Sequence, residues 1–142
     1  KERGAKRAIK LNVSAPFHCG LMMPAQEKLA VDLKAIRFND LRFPLAENVS
    51  AEINSNGSRV CEALTQQVSS PVLWTQSIEK LISAGVDTFV EVGTGKILSG
   101  LVKQISRDVR LFNVENSESL GNSLTGFVTS ESTIVSEGVG GA

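Results

Sequence analysis

The sequence predicts an α/β fold, and two observations carry that prediction. Residues 86–92 and 109–114 are short runs rich in branched apolar side chains, and a helical pattern lies between them. Strand, helix and strand in that order mark a parallel βαβ unit. In addition, apolar residues fill nearly every position of both runs, so both strands are expected to be covered on both faces.

Each element has its own signal. Ile9, Leu11 and Val13 alternate with Lys10 and Asn12, the two-residue period of a half-buried strand. Pro16 ends that strand, because proline has no N–H for the ladder. Leu21, Ala25, Leu29, Leu33 and Ile36 recur at helical spacing, with Pro24 acceptable in the first turn. Residues 43–49 and 51–53 read as short extended segments, closed by the turn dipeptide Asn56-Gly57. Ser58 is expected to cap a helix whose inner face is Val60, Cys61, Leu64 and Val68. Ser70-Pro71 reads as the start of another helix, with Trp74, Ile78, Leu81 and Ile82 inward and Gly85 as its left-handed stop. Gly93-Thr94-Gly95 turns the chain into a helix that points Ile97, Leu98, Leu101, Val102 and Ile105 inward. Beyond about Leu120 the chain is rich in Ser, Thr and Gly, too poor in apolar groups to offset its ordering entropy, and is expected to be loose.

Composition narrows the classes. Fifteen basic and fifteen acidic residues cancel, which argues against nucleic acid or a membrane surface as partner. No apolar run approaches the roughly 18–20 residues that span a bilayer. Two cysteines, Cys19 and Cys61, make no disulfide framework, and a reducing compartment is the simpler reading. The opening Lys1-Glu2-Arg3-Gly4 is helix-like and lacks an initiator methionine, so a sequence cut mid-element is expected, with structure upstream.

His18 is the single histidine, placed just after a predicted strand. Its unperturbed pKa near 6.5 suits a general base, yet position alone fits a hydrogen-bonded structural histidine better. One His and two separated Cys give no zinc spacing, so no metal is expected. Cys19 adjoins His18, but adjacent residues on extended backbone point apart, and it reads as a small packing residue. The string Val92-Gly93-Thr94-Gly95-Lys96-Ile97 fails as a phosphate loop, because Val90 stands where the first glycine belongs and Ile97 where Ser or Thr belongs. A helix N-terminus after such a turn can still meet an anion, so a non-catalytic α/β module binding a phosphate-bearing ligand at residues 93–96 is one reading. No Gly-x-Ser-x-Gly nucleophile elbow occurs in the chain.

Particular strings carry more than these patterns. They are residues 1–9 followed by Val13-Ser14-Ala15-Pro16-Phe17-His18-Cys19, then Glu47-Asn48-Val49, then Gln67 with Pro71-Val72-Leu73-Trp74, and then residues 91–98. In that order and at about that spacing, over residues 1 to about 118, they resemble the malonyl-CoA:acyl carrier protein transacylase family. The resemblance implies the C-terminal part of a hydrolase-like parallel-sheet core, plus the last strand of a ferredoxin-like subdomain. On that basis residues 1–15 end the small subdomain, 16–118 belong to the large core and 119–142 form a flexible tail.

The same resemblance implies ping-pong transfer of malonyl from coenzyme A, through a serine, to the phosphopantetheine thiol of acyl carrier protein in fatty acid synthesis. Malonyl-CoA and acyl carrier protein are then the partners, with no cofactor beyond the thioester substrate. His18 matches the family's catalytic base. A backbone carbonyl close to Gln67 orients the imidazole, and Phe17 lines the acyl pocket, where a bulky ring goes with malonyl rather than methylmalonyl. The serine and the malonyl-binding arginine belong upstream, so the chain alone is expected to be inactive. The basic cluster Arg3, Lys6 and Arg7 reads as a solvated face rather than a carrier-protein contact. The cytoplasm is the implied location, or a plastid or mitochondrion in a eukaryote. An acyltransferase domain of a polyketide synthase is the alternative within the class.

Overall fold

A computed structural model describes Gly4, Val13 and residues 15–136, with side chains described as far as Phe127. The chain divides into two compact units, residues 1–77 and 78–142.

In the first unit a 3₁₀ turn at Gly20–Met22 leads into helix α1, Met23–Lys34, which Pro24 opens. Strand β1, Leu45–Ala46, pairs antiparallel with β2, Ile53–Asn54, in the register Leu45 with Asn54 and Ala46 with Ile53. Helix α2, Gly57–Gln66, packs on α1. Val60 and Leu33 form the buried apolar seam, while Leu21 and Ile36, expected inward, are exposed. The predicted strand at 9–13 lies outside the described residues apart from Val13, which is exposed.

Two boundaries differ from the sequence reading. Asn56 rather than Ser58 caps α2, its side chain accepting from the Ser58 N–H at 2.9 Å. Gly57 is therefore the first helical residue and not the end of a turn. Its hydrogen faces the Asn39 carbonyl, which a Cβ would approach to 2.2 Å. Helix α3 runs Trp74–Ser83, so Ser70 and Pro71 precede it in the connection. The Leu73 N–H donates to the Asn48 carbonyl at 2.8 Å, and α3 starts only beyond that tie.

Gly85, at φ +95°, ends α3 as expected. The Val86 N–H reaches back to the Leu81 carbonyl and the Gly85 N–H to that of Ile82, the paired bonds of a Schellman stop.

In the second unit β3, Thr88–Val92, and β4, Arg110–Val114, pair in parallel from Thr88 with Arg110 to Val92 with Val114. Helix α4, Ile97–Ile105, packs on both strands and buries Val102. The α/β class and the parallel pairing are as read from the sequence, but the expected coverage is not. Val90, Val92, Ile97, Leu98 and Leu101 are exposed.

The expected loose tail is also absent over its first part. Helix α5, Ser117–Ser136, packs on β4. Asn116 accepts from the Ser119 N–H at 3.0 Å, and the Ser119 hydroxyl accepts from the Asn116 N–H at 3.0 Å, a reciprocal cap. Phe127 stacks on Phe112 with ring centroids 4.5 Å apart, and the buried Ser123 hydroxyl donates to the Asn113 carbonyl.

Candidate functional site

The site begins at a backbone irregularity. His18 sits at φ +55°, the left-handed region that non-glycine residues seldom adopt and that clusters at functional positions. A tight turn holds it there. The Phe17 N–H donates to the Ala15 carbonyl at 3.0 Å, the Cys19 thiol to the Pro16 carbonyl at 3.1 Å, and the Met22 N–H to the Cys19 carbonyl at 2.9 Å. Cys19 thus closes the turn beneath His18 and does not pair with it.

The imidazole is exposed, and its Nδ1 lies 2.9 Å from the backbone oxygen of Gln67. A carbonyl can only accept, so Nδ1 carries the proton and the Nε2 lone pair is left free. Gln67 follows the last residue of α2, where carbonyls have no partner within the helix and remain available to outside donors. The side chain of Gln67 accepts from Asn48 Nδ2 at 3.4 Å, and it borders a cavity of about 250 Å³ between the β1–β2 hairpin and α2. Phe17, beside the histidine, is 58% exposed, so its ring is not core. Of the residues predicted from sequence, His18 and Gln67 meet, and Phe17 adjoins His18 in the chain. Asn48 lies within one of the matching strings and carries no signal of its own in the sequence.

Residues 93–96 tell a different story. Gly93 at φ +138° and Gly95 at φ +88° make the turn, and both have open space where a Cβ would stand, so conformation and not close backbone approach requires them. Several donors at this turn are already taken. Glu91 accepts from the Leu98 N–H at 3.0 Å, the Ser99 N–H at 2.8 Å, the Ser99 hydroxyl at 2.7 Å and Asn113 Nδ2 at 3.1 Å. Glu115 accepts from the Gly95 N–H. The Ser99 N–H first, then its hydroxyl and the Leu98 N–H, hold the Glu91 carboxyl below its ordinary range. Two carboxylates at a helix start repel a phosphate and occupy several of its donors, so the phosphate-binding reading of residues 93–96 is not favoured. Among the described residues no three His, Cys, Asp or Glu side chains group as metal ligands, and no helix is long and apolar enough to cross a membrane. The cluster of Arg3, Lys6 and Arg7 lies outside the described residues.

No family model matches the chain. Individual proteins do. The malonyl CoA-acyl carrier protein transacylase of Bacillus subtilis (strain 168) is 48% identical over 120 residues, covering 84% of this chain and 38% of that protein. The matched stretch belongs to the malonyl CoA-acyl carrier protein transacylase family. Solved transacylases agree in fold. The enzyme from Clostridium perfringens superposes with a TM-score of 0.82 at 46% identity, over 92% of this chain and 41% of that one. A malonyl-transacylase in complex with a type II polyketide synthase acyl-carrier protein gives 0.83 at 39% identity, over 88% of this chain and 40% of its own. This chain therefore spans about two-fifths of the length of these transacylases.

Proposed function

We propose that this chain supplies the general base of a malonyl transfer from coenzyme A to acyl carrier protein in fatty acid synthesis. The observation that carries the reading is the 2.9 Å bond from His18 Nδ1 to the Gln67 carbonyl, which leaves Nε2 as the free base. The names of the related proteins supply the substrates, and the solved complex of one of them supplies the class of acceptor.

The chemistry divides into two halves. His18 Nε2 takes the proton of a serine hydroxyl as its oxygen attacks the thioester carbonyl carbon. The carbon–sulfur bond breaks, and the departing thiolate takes that proton from the imidazolium. In the second half the carrier protein's thiol gives its proton to Nε2 and attacks the acyl-serine ester, and the proton returns to the serine oxygen. The serine stands outside this chain, which has no elbow motif, so the chain by itself is inactive. Phe17 faces the acyl group in this scheme, and the Gln67 carbonyl fixes the tautomer. Residues 16–118 then form part of a hydrolase-like core in a cytoplasmic enzyme, while the ferredoxin-like end assigned to 1–15 lies, apart from residues 4, 13 and 15, outside the described residues.

A chimera tests the proposal. This chain replaces the stretch of the Bacillus subtilis transacylase that it matches, and transfer of radiolabelled malonyl to acyl carrier protein is measured. Transfer is expected, and His18→Ala lowers kcat by about 10²–10⁴-fold. Full activity of the His18→Ala chimera, or transfer by this chain alone, would overturn the reading.

A further inference from the structure

We infer that Asn48 is a positioning residue for His18, clamping both ends of the connection whose first carbonyl orients the imidazole. The inference rests on the proposed role of His18 as base. Its geometric content stands apart from that role.

The clamp starts from a fixed base. The Glu47 N–H donates to the Glu52 carbonyl at 2.9 Å and closes the hairpin, and the Ala51 N–H donates to the Glu47 carbonyl at 2.9 Å. The Glu47 side chain is buried, accepts from the Ser50 hydroxyl at 2.7 Å and lies 3.5 Å from the Arg59 guanidinium. Residue 48 therefore projects from an anchored backbone.

From there Asn48 reaches the α2–α3 connection twice. Its side-chain amide donates to Gln67 Oε1 at 3.4 Å, and its carbonyl accepts from the Leu73 N–H at 2.8 Å. These contacts pin residues 67 and 73, the two ends of the segment. The middle is tied separately, because the Ser69 hydroxyl donates to Gln26 Oε1, on the helix that follows His18, at 2.5 Å. Gln67 borders the cavity. Among the described residues, Asn48 is the hydrogen-bond partner of the Gln67 side chain. The Gln67 N–H still donates to the Ala63 carbonyl at 3.0 Å, so loss of the tie loosens, without releasing, the residue whose carbonyl must stay in line with Nδ1, and a hydrogen bond weakens steeply as its angle falls.

The single histidine makes a direct test possible. Nitrogen-15 spectra of the imidazole in the 142-residue chain give the ratio of the Nδ1–H to the Nε2–H form at a pH where the ring is neutral. In the wild type the Nδ1–H form dominates. Asn48→Ala and Gln67→Ala should each lower the ratio by about two- to fivefold. The double variant should lower it no further, because both changes break one tie. An unchanged ratio in folded Asn48→Ala, or losses that simply add, would overturn the inference. Should Asn48→Ala fail to fold, Asn48→Ser, whose hydroxyl is too short to reach Gln67, takes its place with the same expectation. Unfolding of both variants would also overturn it, by making Asn48 a residue of the fold. The tautomer shift can hold while the His18→Ala chimera stays active, which separates failure of this inference from failure of the proposed function.

Discussion

The turn at His18 and the turn at residues 93–96 are both sharp reversals with positive φ, yet they are stabilised in opposite ways. At 93–96 the positive angles fall on glycines, and two carboxylates accept from the N–H groups of Gly95, Leu98 and Ser99. At 16–19 the positive angle falls on a histidine, the ring is exposed, and distant residues hold its one outward bond. Low strain and carboxylate-bound donors fit the first to be a structural joint. Strain and a free nitrogen are what the proposed chemistry asks of the second.

The comparison can be broken experimentally, and the largest effect is expected where backbone meets backbone. Gly57→Ala drives a Cβ into the Asn39 carbonyl and should destabilise the His18 unit by about 1–3 kcal/mol, read as a lower urea midpoint. The same substitution at Gly100, where a Cβ meets open space, should leave the midpoint unlowered.

Next comes selectivity. With Phe17→Ala in the chimera, the preference for malonyl over methylmalonyl in kcat/KM should fall by about 10–200-fold, the range over which one methyl group discriminates. An unchanged preference would remove Phe17 from the acyl pocket.

The smallest effect concerns pH. Glu91 is held below its ordinary range, so the unfolded chain binds its proton first as pH falls. Its contribution is complete above the ordinary carboxylate range and is lost as pH drops through the lowered value. Glu91→Gln should flatten that acid slope in a denaturant series and leave the spectra of His18 unchanged.

Much of the fold was legible because it rests on short-range pattern. The apolar runs ending at Val92 and Val114 gave the parallel pair, and Gly85 gave the stop of α3. Helix α5 was not legible, because composition hides its means of support. A reciprocal cap between Asn116 and Ser119 and a stack of Phe127 on Phe112 outweigh the scarcity of apolar residues. The start of α3 was missed for a related reason: a hydrogen bond from Leu73 to a hairpin residue competes with the local Ser-Pro signal.

The site follows the same rule. His18 and Gln67 are 49 residues apart, and no periodicity joins a ring nitrogen to a carbonyl at that distance in sequence. Only the resemblance paired them. Asn48 lay inside a matching string, but its two bonds exist only once hairpin and connection have come together.

The left-handed backbone at His18 sets two demands against each other. Glycine would adopt φ +55° without the roughly 1 kcal/mol that a side chain costs there, so selection for a sturdier fold alone would erode the histidine. Ala51, at φ +57° in the same unit, carries the same cost without a reactive group. Sequence drift among relatives should therefore treat the two positions differently, admitting glycine freely at 51 and refusing it at 18.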